Sequence, residues 1–159
     1  MPCNVIFLSI RPRYAEKIID GTKTVELRRV RPKYISTGAL VLMYVSSPVK
    51  SLIGAFKVNQ VVENPLGDLW KLVQNRAGIS RSEFDAYFEG ASTGVGIFFN
   101  EIQLFHNPIE LEDLKLIGFR PPQGFRYAKV SELASPRFAG LVGDMEFSTQ
   151  VSFLDRMNL

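Results

Sequence analysis

The chain has 159 residues, 46% of them hydrophobic and 22% charged, which is typical of one globular domain. It has no apolar run of the ~20 residues that a membrane helix requires and no signal-peptide pattern at its N-terminus, so we expect a cytoplasmic protein without a membrane partner. Cys3 is the single cysteine and His106 the single histidine, which excludes an internal disulfide, argues against zinc, and leads us to expect neither metal nor cofactor.

The net charge of +3 is unevenly distributed along the chain. Residues 1–57 carry ten Lys/Arg against three Asp/Glu, a balance of +7. Residues 58–115 have a balance of −5, and residues 116–159 a balance of +1. This asymmetry predicts a basic face, built by the N-terminal third, that is suited to phosphate or another anion.

The N-terminal third predicts three strands and one helix. Residues 4–10 form a short apolar run that is typical of a buried strand. Apolar residues at helical spacing predict a helix over 12–20 that ends at Gly21. Alternating residues predict a strand over 23–31, and the apolar, β-rich run 39–46 predicts a central strand.

The middle of the chain predicts a hairpin strand followed by two helices. Residues 51–63 alternate as the second strand of a hairpin, with a bulge expected near Gly54. Residues 66–74 have an apolar side that predicts a helix. Ser80 begins a capping box, which predicts a second helix over 81–89.

The remaining residues are less regular. Residues 94–106 predict a strand and 110–116 a short helix, whereas the prolines and glycines of 118–127 exclude a regular helix or a central strand. We expect a loop over 137–143 and an extra strand over 145–154. The mixture of strands and helices predicts an α+β fold on a mixed or closed sheet.

Three groups of side chains are candidates for chemistry, and the first lies on the strand after Gly21. Strand alternation places Val25 and Leu27 on one face, and Glu26 and Arg28 on the other. The lysine has the parity of Val25, but it lies at the exit of a turn, where a bulge or twist could re-aim it. The alternative interpretation is a solvated ion pair of little energetic value. The polar members of this first group are Lys23, Thr24, Glu26 and Arg28.

The second group surrounds the turn that ends the central strand and comprises Tyr44, Ser46, Ser47 and Lys50. Hydroxyls beside a lysine at a strand end suit phosphate binding or polarisation of a carbonyl. The alternative is that the Ser-Ser-Pro sequence is only turn chemistry.

The third group interleaves aromatic rings with guanidiniums and an amide. Stacking aromatics beside arginine suit unpaired bases and their phosphates. The alternative is a proline-rich loop held in the core by its aromatics. The members of this group are Phe119, Arg120, Gln123, Phe125, Arg126 and Tyr127.

The spacing of Gly21, Lys23, Glu26 and Arg28 resembles the start of an ASCH domain. The second group and the Gly-Phe-Arg-Pro-Pro-Gln sequence at 118–123 resemble a prokaryotic ASCH subgroup. This resemblance implies a PUA-like fold, which is a small mixed β-barrel with flanking helices. It implies an ASCH domain over residues 1–128, and we expect 129–159 to be an extension packed on that domain.

The resemblance implies binding of RNA or a nucleotide, with a role in translation or transcription regulation. Lys23, Arg28 and Lys50 would bind phosphate, and Glu26 would orient Arg28 or accept a hydrogen bond from a base. The cleft would be closed by Arg120, Arg126 and Phe119. Thr24, Ser46 and Gln123 complete the expected nucleic-acid-binding set.

The alternative function is a hydrolase that acts on RNA or a modified nucleoside. Lys23 would be the base or nucleophile, assisted by Tyr44 or Ser47. Family members that deacylate cytidine combine a lysine, a hydroxyl and a later glutamate. Here Glu26 stands at the hydroxyl position, and residues 74–78 contain no glutamate. A third hypothesis is a protein-interaction domain that uses the acidic segment 58–115. The choice between RNA and DNA and the oligomeric state stay open.

Overall fold

A computed structural model of the protein describes residues 5–100, 102–136 and 138. Its strands are β1 (Val5–Ile10), β2 (Val25–Arg28), β3 (Leu40–Val45), β4 (Ser51–Lys57), β5 (Gln60–Pro65), β6 (Thr93–Phe98), β7 (Ile102–Glu110) and β8 (Phe125–Tyr127). Its helices are α1 (Pro12–Ile19), α2 (Leu66–Val73), α3 (Arg81–Tyr87), α4 (Leu111–Lys115) and α5 (Val130–Leu133).

The chain divides into two compact units. The first contains Ala39–Phe56 and the described parts of Met1–Pro12 and Glu101–Leu159. The second contains Arg13–Gly38 and Lys57–Asn100. Each unit has its own sheet. The chain leaves the first unit after β1 and returns to it at β3, and it leaves again after β4 and returns at β7.

The sheet of the first unit has the strand order β7-β4-β3-β1-β8. β1 pairs with β3 in parallel, from Val5 opposite Leu40 to Ile10 opposite Val45. A parallel pair requires a long connection between its strands, which residues 13–38 of the second unit supply. β3 is therefore the central strand, as its apolar run predicts.

The core of the first unit is aromatic. The ring of Phe7 lies 4.9 Å from that of Phe119 and 5.9 Å from that of Phe138, measured between centroids. Leu133 of α5 and Leu114 of α4 are buried in the same cluster. The sequence analysis did not predict α5, although it supplies part of this core.

The sheet of the second unit has the order β2-β6-β5, with both pairs antiparallel. Helix α3 begins with the predicted capping box, because Ser80 Oγ accepts from the backbone N–H of Glu83 and the Glu83 carboxylate accepts from the N–H of Ser80. The ring of Phe84 in α3 and that of Phe88, directly after the helix, lie 4.7 Å apart in a core that includes Leu69 of α2.

Two predicted strands are each divided between the units. The run 51–63 forms β4, with the expected irregularity between Leu52 and Gly54, and then β5 in the other sheet. The run 94–106 forms β6 and β7, also in different sheets. Predicted strand 23–31 is shorter, and the loop predicted at 118–127 contributes the edge strand β8.

The predicted α+β class is confirmed, whereas the implied closure into a barrel is wrong. Both sheets are open, since the five-stranded order ends at β7 and β8 and the three-stranded order ends at β2 and β5. The strand predicted over 145–154 and most of the predicted loop 137–143 lie outside the described residues. Within the described ranges, no helix is long and apolar enough to cross a membrane.

Candidate functional site

The turn between α1 and β2 fixes the position of Lys23. Gly21 has a φ of +85°, in the left-handed region that favours glycine. Asp20 Oδ1 accepts from the backbone N–H and the hydroxyl of Thr22 at 2.8 and 2.7 Å, and these bonds lower the pKa of Asp20. The N–H of Lys23 donates to the carbonyl of Lys17 at 2.9 Å. The first group of polar residues therefore follows a turn that these hydrogen bonds hold in place.

The side chain of Lys23 is buried, with only 4% of the residue exposed. Its Nζ donates to the carbonyl of Ala77 at 3.1 Å and lies 5.5 Å from the centroid of the Tyr14 ring. Burial lowers the pKa of Lys23, and the negative charge of Glu26 offsets this effect only in part. The amine is therefore more easily deprotonated than a surface lysine.

Glu26 and Arg28 lie on one face of β2, as strand alternation predicts. Glu26 Oε1 is 3.4 Å from Arg28 Nη2, and the two side chains are only 12% and 22% exposed. The second carboxylate oxygen, Oε2, is buried and has no hydrogen-bond partner among the described residues. The alternative of a solvated surface pair is therefore wrong, because this pair lies within the protein.

Lys23 and Glu26 line one pocket, whose cavity measures about 90 Å³. Two tyrosines form part of its wall, and Tyr87 donates its hydroxyl to the carbonyl of Leu27 at 3.2 Å. Burial raises the pKa of Tyr87. The lining residues are Tyr14, Lys23, Glu26, Leu27, Ile79, Glu83 and Tyr87.

Five of these seven lining residues were not predicted as site residues, since Leu27 was expected only on the apolar face of its strand. Tyr14 lies in the predicted helix 12–20, and Glu83 lies in the capping box that begins at Ser80, so each has a local structural explanation. Glu83 Oε2 also pairs with Arg13 Nη2 at 2.6 Å. No local pattern brings α1, β2 and α3 together, so Ile79 and Tyr87 carried no signal of a shared pocket.

Thr24 contacts Arg76, a residue that the sequence did not indicate as part of a site. Its hydroxyl accepts from Arg76 Nε at 2.8 Å, and its backbone N–H donates to the carbonyl of Arg76 at 2.8 Å. The Arg76 guanidinium also lies 4.7 Å from the centroid of the Phe98 ring. These contacts give Thr24 a structural role, and its role in nucleic-acid binding stays a prediction.

The second group lies in the first unit, at the end of β3. Tyr44 is buried, its ring lies 5.9 Å from that of Phe119, and burial raises its pKa. Ser47 and Lys50 are exposed, and Ser46 is half-buried. Lys50 has a φ of +51°, which a lysine rarely adopts. The turn therefore presents the exposed cation of Lys50, on a strained backbone, beside the exposed hydroxyl of Ser47.

The third group divides into a core part and an exposed part. Arg126 forms a two-pronged pair with Glu132, with Nη1–Oε1 and Nη2–Oε2 distances of 2.8 Å. Its guanidinium lies 4.8 Å from the ring of Phe7 and 5.0 Å from that of Phe119. These contacts favour a structural role for Arg126 and Phe119, and the predicted closure of a cleft stays a prediction.

The rest of the third group lies in the loop before β8 and in that strand. Arg120 and Gln123 are exposed, while Phe125 and Tyr127 are half-buried in β8. Ser9 fixes this loop, since its N–H donates to the carbonyl of Gly124 at 3.0 Å. Lys23 belongs to the second unit, whereas Lys50 and Arg120 belong to the first.

No group of three or more His, Cys, Asp or Glu side chains in the described part of the chain is placed to hold a metal ion. The predicted histidine position also changes, because His106 is exposed in the middle of β7 instead of at a strand end.

The chain resembles known proteins in sequence. The ASCH domain model matches residues 8–121. An ASCH domain-containing ribonuclease from Zymomonas mobilis is 32% identical over 127 residues, which are 79% of this chain and 84% of that protein. Large ribosomal subunit protein uL22 from Ureaplasma parvum is 29% identical over 125 residues, 78% of this chain but only 39% of that protein.

Solved structures agree with the sequence matches. The crystal structure of ASCH from Zymomonas mobilis has a TM-score of 0.75 and 31% identity, and the match covers 81% of this chain and 90% of that one. A tyrosine-to-phenylalanine variant of the Zymomonas protein has a TM-score of 0.78 and 29% identity, with coverage of 87% and 98%. The fold is PUA-like, as the resemblance implied, although its sheets are open and not closed into a barrel. The chain belongs to the ASCH domain family.

Proposed function

We propose that this chain binds RNA and hydrolyses it, with the pocket around Lys23 as the reaction site. The observation that carries the proposal is a buried amine of lowered pKa that lines a pocket with a buried carboxylate. Perturbed ionisable groups in a cleft are a physical mark of catalytic sites. A relative that spans most of both chains is named a ribonuclease, which favours RNA as the substrate.

Lys23 acts as the general base in this proposal. A lysine is a base only when it is unprotonated, and burial increases that fraction by lowering its pKa. The unprotonated amine takes the proton of the attacking hydroxyl or water as that oxygen bonds to phosphorus. The bond from phosphorus to the 5′-oxygen then breaks, and the leaving 5′-oxygen takes a proton from solvent. Cleavage should therefore rise with pH through the lowered pKa of Lys23 and level off above it.

The neighbouring groups hold this amine and the substrate. Glu26 pairs with Arg28, so the carboxylate offsets part of the positive charge beside Lys23. Tyr14 and Tyr87 line the same pocket, and aromatic side chains of this kind stack on unpaired bases. A single-stranded substrate suits such a pocket better than a duplex, whose bases are already stacked.

The exposed residues of the first unit supply the wider RNA contacts in this proposal. Lys50 and Arg120 are exposed cations for phosphate, and Ser46, Ser47 and Gln123 offer hydrogen bonds. Tyr44 is buried, so we assign it a supporting role. The predicted roles in translation or transcription regulation require RNA binding first.

The experiment compares cleavage and binding of one labelled single-stranded RNA by wild type, Lys23→Met and Lys23→Arg. Removing a general base should slow cleavage about 100-fold or more. Lys23→Arg retains the charge but cannot act as a base at neutral pH, so it should bind RNA and fail to cleave it. Circular dichroism verifies that each variant is folded.

The matched control is Lys71→Met, which removes an exposed lysine from α2 of the same unit and leaves Lys23 and its neighbours in place. Cleavage by Lys23→Met at the wild-type rate would refute the proposed base. DNA of the same sequence and acylated cytidine are the comparison substrates. Turnover of acylated cytidine without RNA cleavage would replace ribonuclease activity with deacylation of a modified nucleoside.

A further inference from the structure

Residues 29–34 form an exposed basic segment immediately after β2, which we call the basic loop. Its sequence is Arg-Val-Arg-Pro-Lys-Tyr, with three cations and no acidic residue. Val30 is 79% exposed and Tyr34 is 69% exposed, whereas Ile35 directly after them is buried. The loop therefore presents an apolar side chain and an aromatic ring to solvent among positive charges.

The backbone of Tyr34 is strained. Its φ is +63°, in a turn that the N–H of Ile35 closes on the carbonyl of Pro32 at 3.4 Å. Glycine or asparagine is the usual occupant of a turn position with positive φ. Because most of the Tyr34 side chain is exposed, burial of its ring does little to offset this strain. A strained residue with an exposed aromatic ring points to a function outside the fold.

The basic loop is held in place by its own arginines. Arg29 Nη1 donates to the carbonyls of Tyr87 and Glu89 at 2.8 and 2.9 Å. Arg31 Nη2 donates to the carbonyl of Ile35 at 3.5 Å. The Lys33 ammonium lies 6.0 Å from the centroid of the Tyr34 ring. The ring and its neighbouring cation are thus presented on an anchored loop.

We propose that the basic loop is a second contact site for single-stranded RNA. An unpaired base stacks on Tyr34, and Lys33 and Arg31 contact the phosphates on either side of it. Aromatic rings beside cations are the combination that binds single strands, because every base has a stacking face. An acidic protein segment would use the cations but would gain less from an exposed ring at a strained position. This inference rests on the proposed function only in taking RNA as the ligand.

The test measures fluorescence anisotropy of a labelled 2′-O-methyl oligouridylate with wild-type protein and Tyr34 variants. Tyr34→Ala should weaken binding roughly 5- to 150-fold, the range for loss of one stacked base. Tyr34→Phe keeps the ring and should bind within about twofold of wild type. Tyr34→Gly removes the ring and relieves the backbone, so it should weaken binding without lowering the melting temperature.

The charges are tested by the salt dependence of binding. Loss of one phosphate contact reduces the slope of log K against log salt by about 0.7 for a single strand. Arg31→Ala and Lys33→Ala should each produce a reduction of this size. The matched controls are Lys71→Ala and Leu72→Ala, an exposed cation and an exposed apolar residue on α2 of the same unit.

The outcomes separate this inference from the proposed function. Wild-type affinity for RNA in Tyr34→Ala and Tyr34→Gly would refute RNA binding by the basic loop and would leave the proposed reaction site unaffected. No binding by wild type would overturn both. Weakened binding by the Tyr34 variants, with no cleavage by wild type, would support the basic loop and reject the ribonuclease. Binding of a polyglutamate peptide through Lys33, with RNA binding unaffected by loop variants, would overturn the loop in favour of an acidic protein partner.

Discussion

Lys23 shows how a single residue combines an energetic penalty with a chemical role. A buried amine loses its hydration, and its hydrogen bond to Ala77 and the charge of Glu26 return only part of that energy. A residue that destabilises the fold and lines a pocket is typical of a functional site, where activity is favoured over stability.

This penalty predicts that Lys23→Met stabilises the protein at pH 7. Methionine keeps the length and apolar contacts of the stem and removes the buried charge, so the free energy of unfolding should rise by about 0.5–2 kcal/mol. Urea unfolding of both proteins measures the difference. Lys71→Met, which removes an exposed amine from α2, is the control.

The same experiment has a pH dependence of known sign. The pKa of Lys23 is lowered in the fold, so the unfolded chain binds more protons between the folded pKa and the ordinary value of 10.5. The destabilisation is complete below the folded pKa and disappears as the pH rises towards 10.5. The two unfolding free energies should converge over that interval, and a constant difference would contradict a protonated, destabilising amine.

At the scale of the elements, β6 depends on close packing against two helices. A Cβ at Gly94 would lie 2.6 Å from Phe88 Cε1 of the α3 C-terminus and 2.8 Å from Leu69 Cδ2 of α2. These contacts explain why position 94 is a glycine, since only a hydrogen atom fits between the strand and these side chains.

Gly94→Ala should therefore destabilise the second unit. Forcing a methyl group into a packed core costs about 1–3 kcal/mol. The matched control is Gly67→Ala in α2, where an added Cβ meets no atom within 4 Å. Alanine should stabilise that position by about 0.4–1 kcal/mol, because it restricts the unfolded chain. Equal unfolding free energies for the two variants would contradict this account of β6.

At the scale of the whole molecule, the sequence predicted local elements better than their assignment to sheets. The run 51–63 alternates without interruption, yet β4 ends at Lys57 and β5 joins a different sheet. Of the two residues between these strands only Asn59 is a common turn residue, and one asparagine within an alternating run is too weak a signal to predict this change. Periodicity reports which residues of a strand are buried and carries no information about the sheet that buries them.

The residues of the site also show which features a local sequence pattern can predict and which depend on distant parts of the chain. Strand alternation was sufficient to place Glu26 and Arg28 together, because they are neighbours on one strand. It could not predict that their pair is buried, since burial depends on packing by other elements. Tyr14 and Tyr87 are separated by more than 70 residues, and only the folded second unit brings both to the pocket of Lys23.

The part of the chain that the fold requires extends beyond the predicted ASCH domain. The predicted domain boundary at residue 128 stays a prediction, but core residues lie beyond it. Leu133 and Phe138 are buried with Phe7 in the first unit, and Glu132 pairs with Arg126. Burial is the largest single effect and would raise the pKa of Glu132, but the hydrogen bonds from Arg126 and from the backbone N–H of Lys129, together with the positive charges of both residues, outweigh it. The net shift is downward, and the carboxylate is ionised at neutral pH.

We therefore expect a chain of residues 1–128 to be far less stable than one of residues 1–138. Removing a buried leucine side chain costs about 2–5 kcal/mol and a buried phenylalanine about 3–5 kcal/mol, which together approach the total stability of a domain. The shorter chain also leaves the Arg126 guanidinium without its carboxylate beside the Phe7 ring. Thermal melts followed by circular dichroism compare the two chains with the full-length protein. Leu133→Ala and Phe138→Ala in the full chain should each lower the melting temperature, whereas a 1–128 chain that melts with the full-length protein would place the core entirely before residue 129.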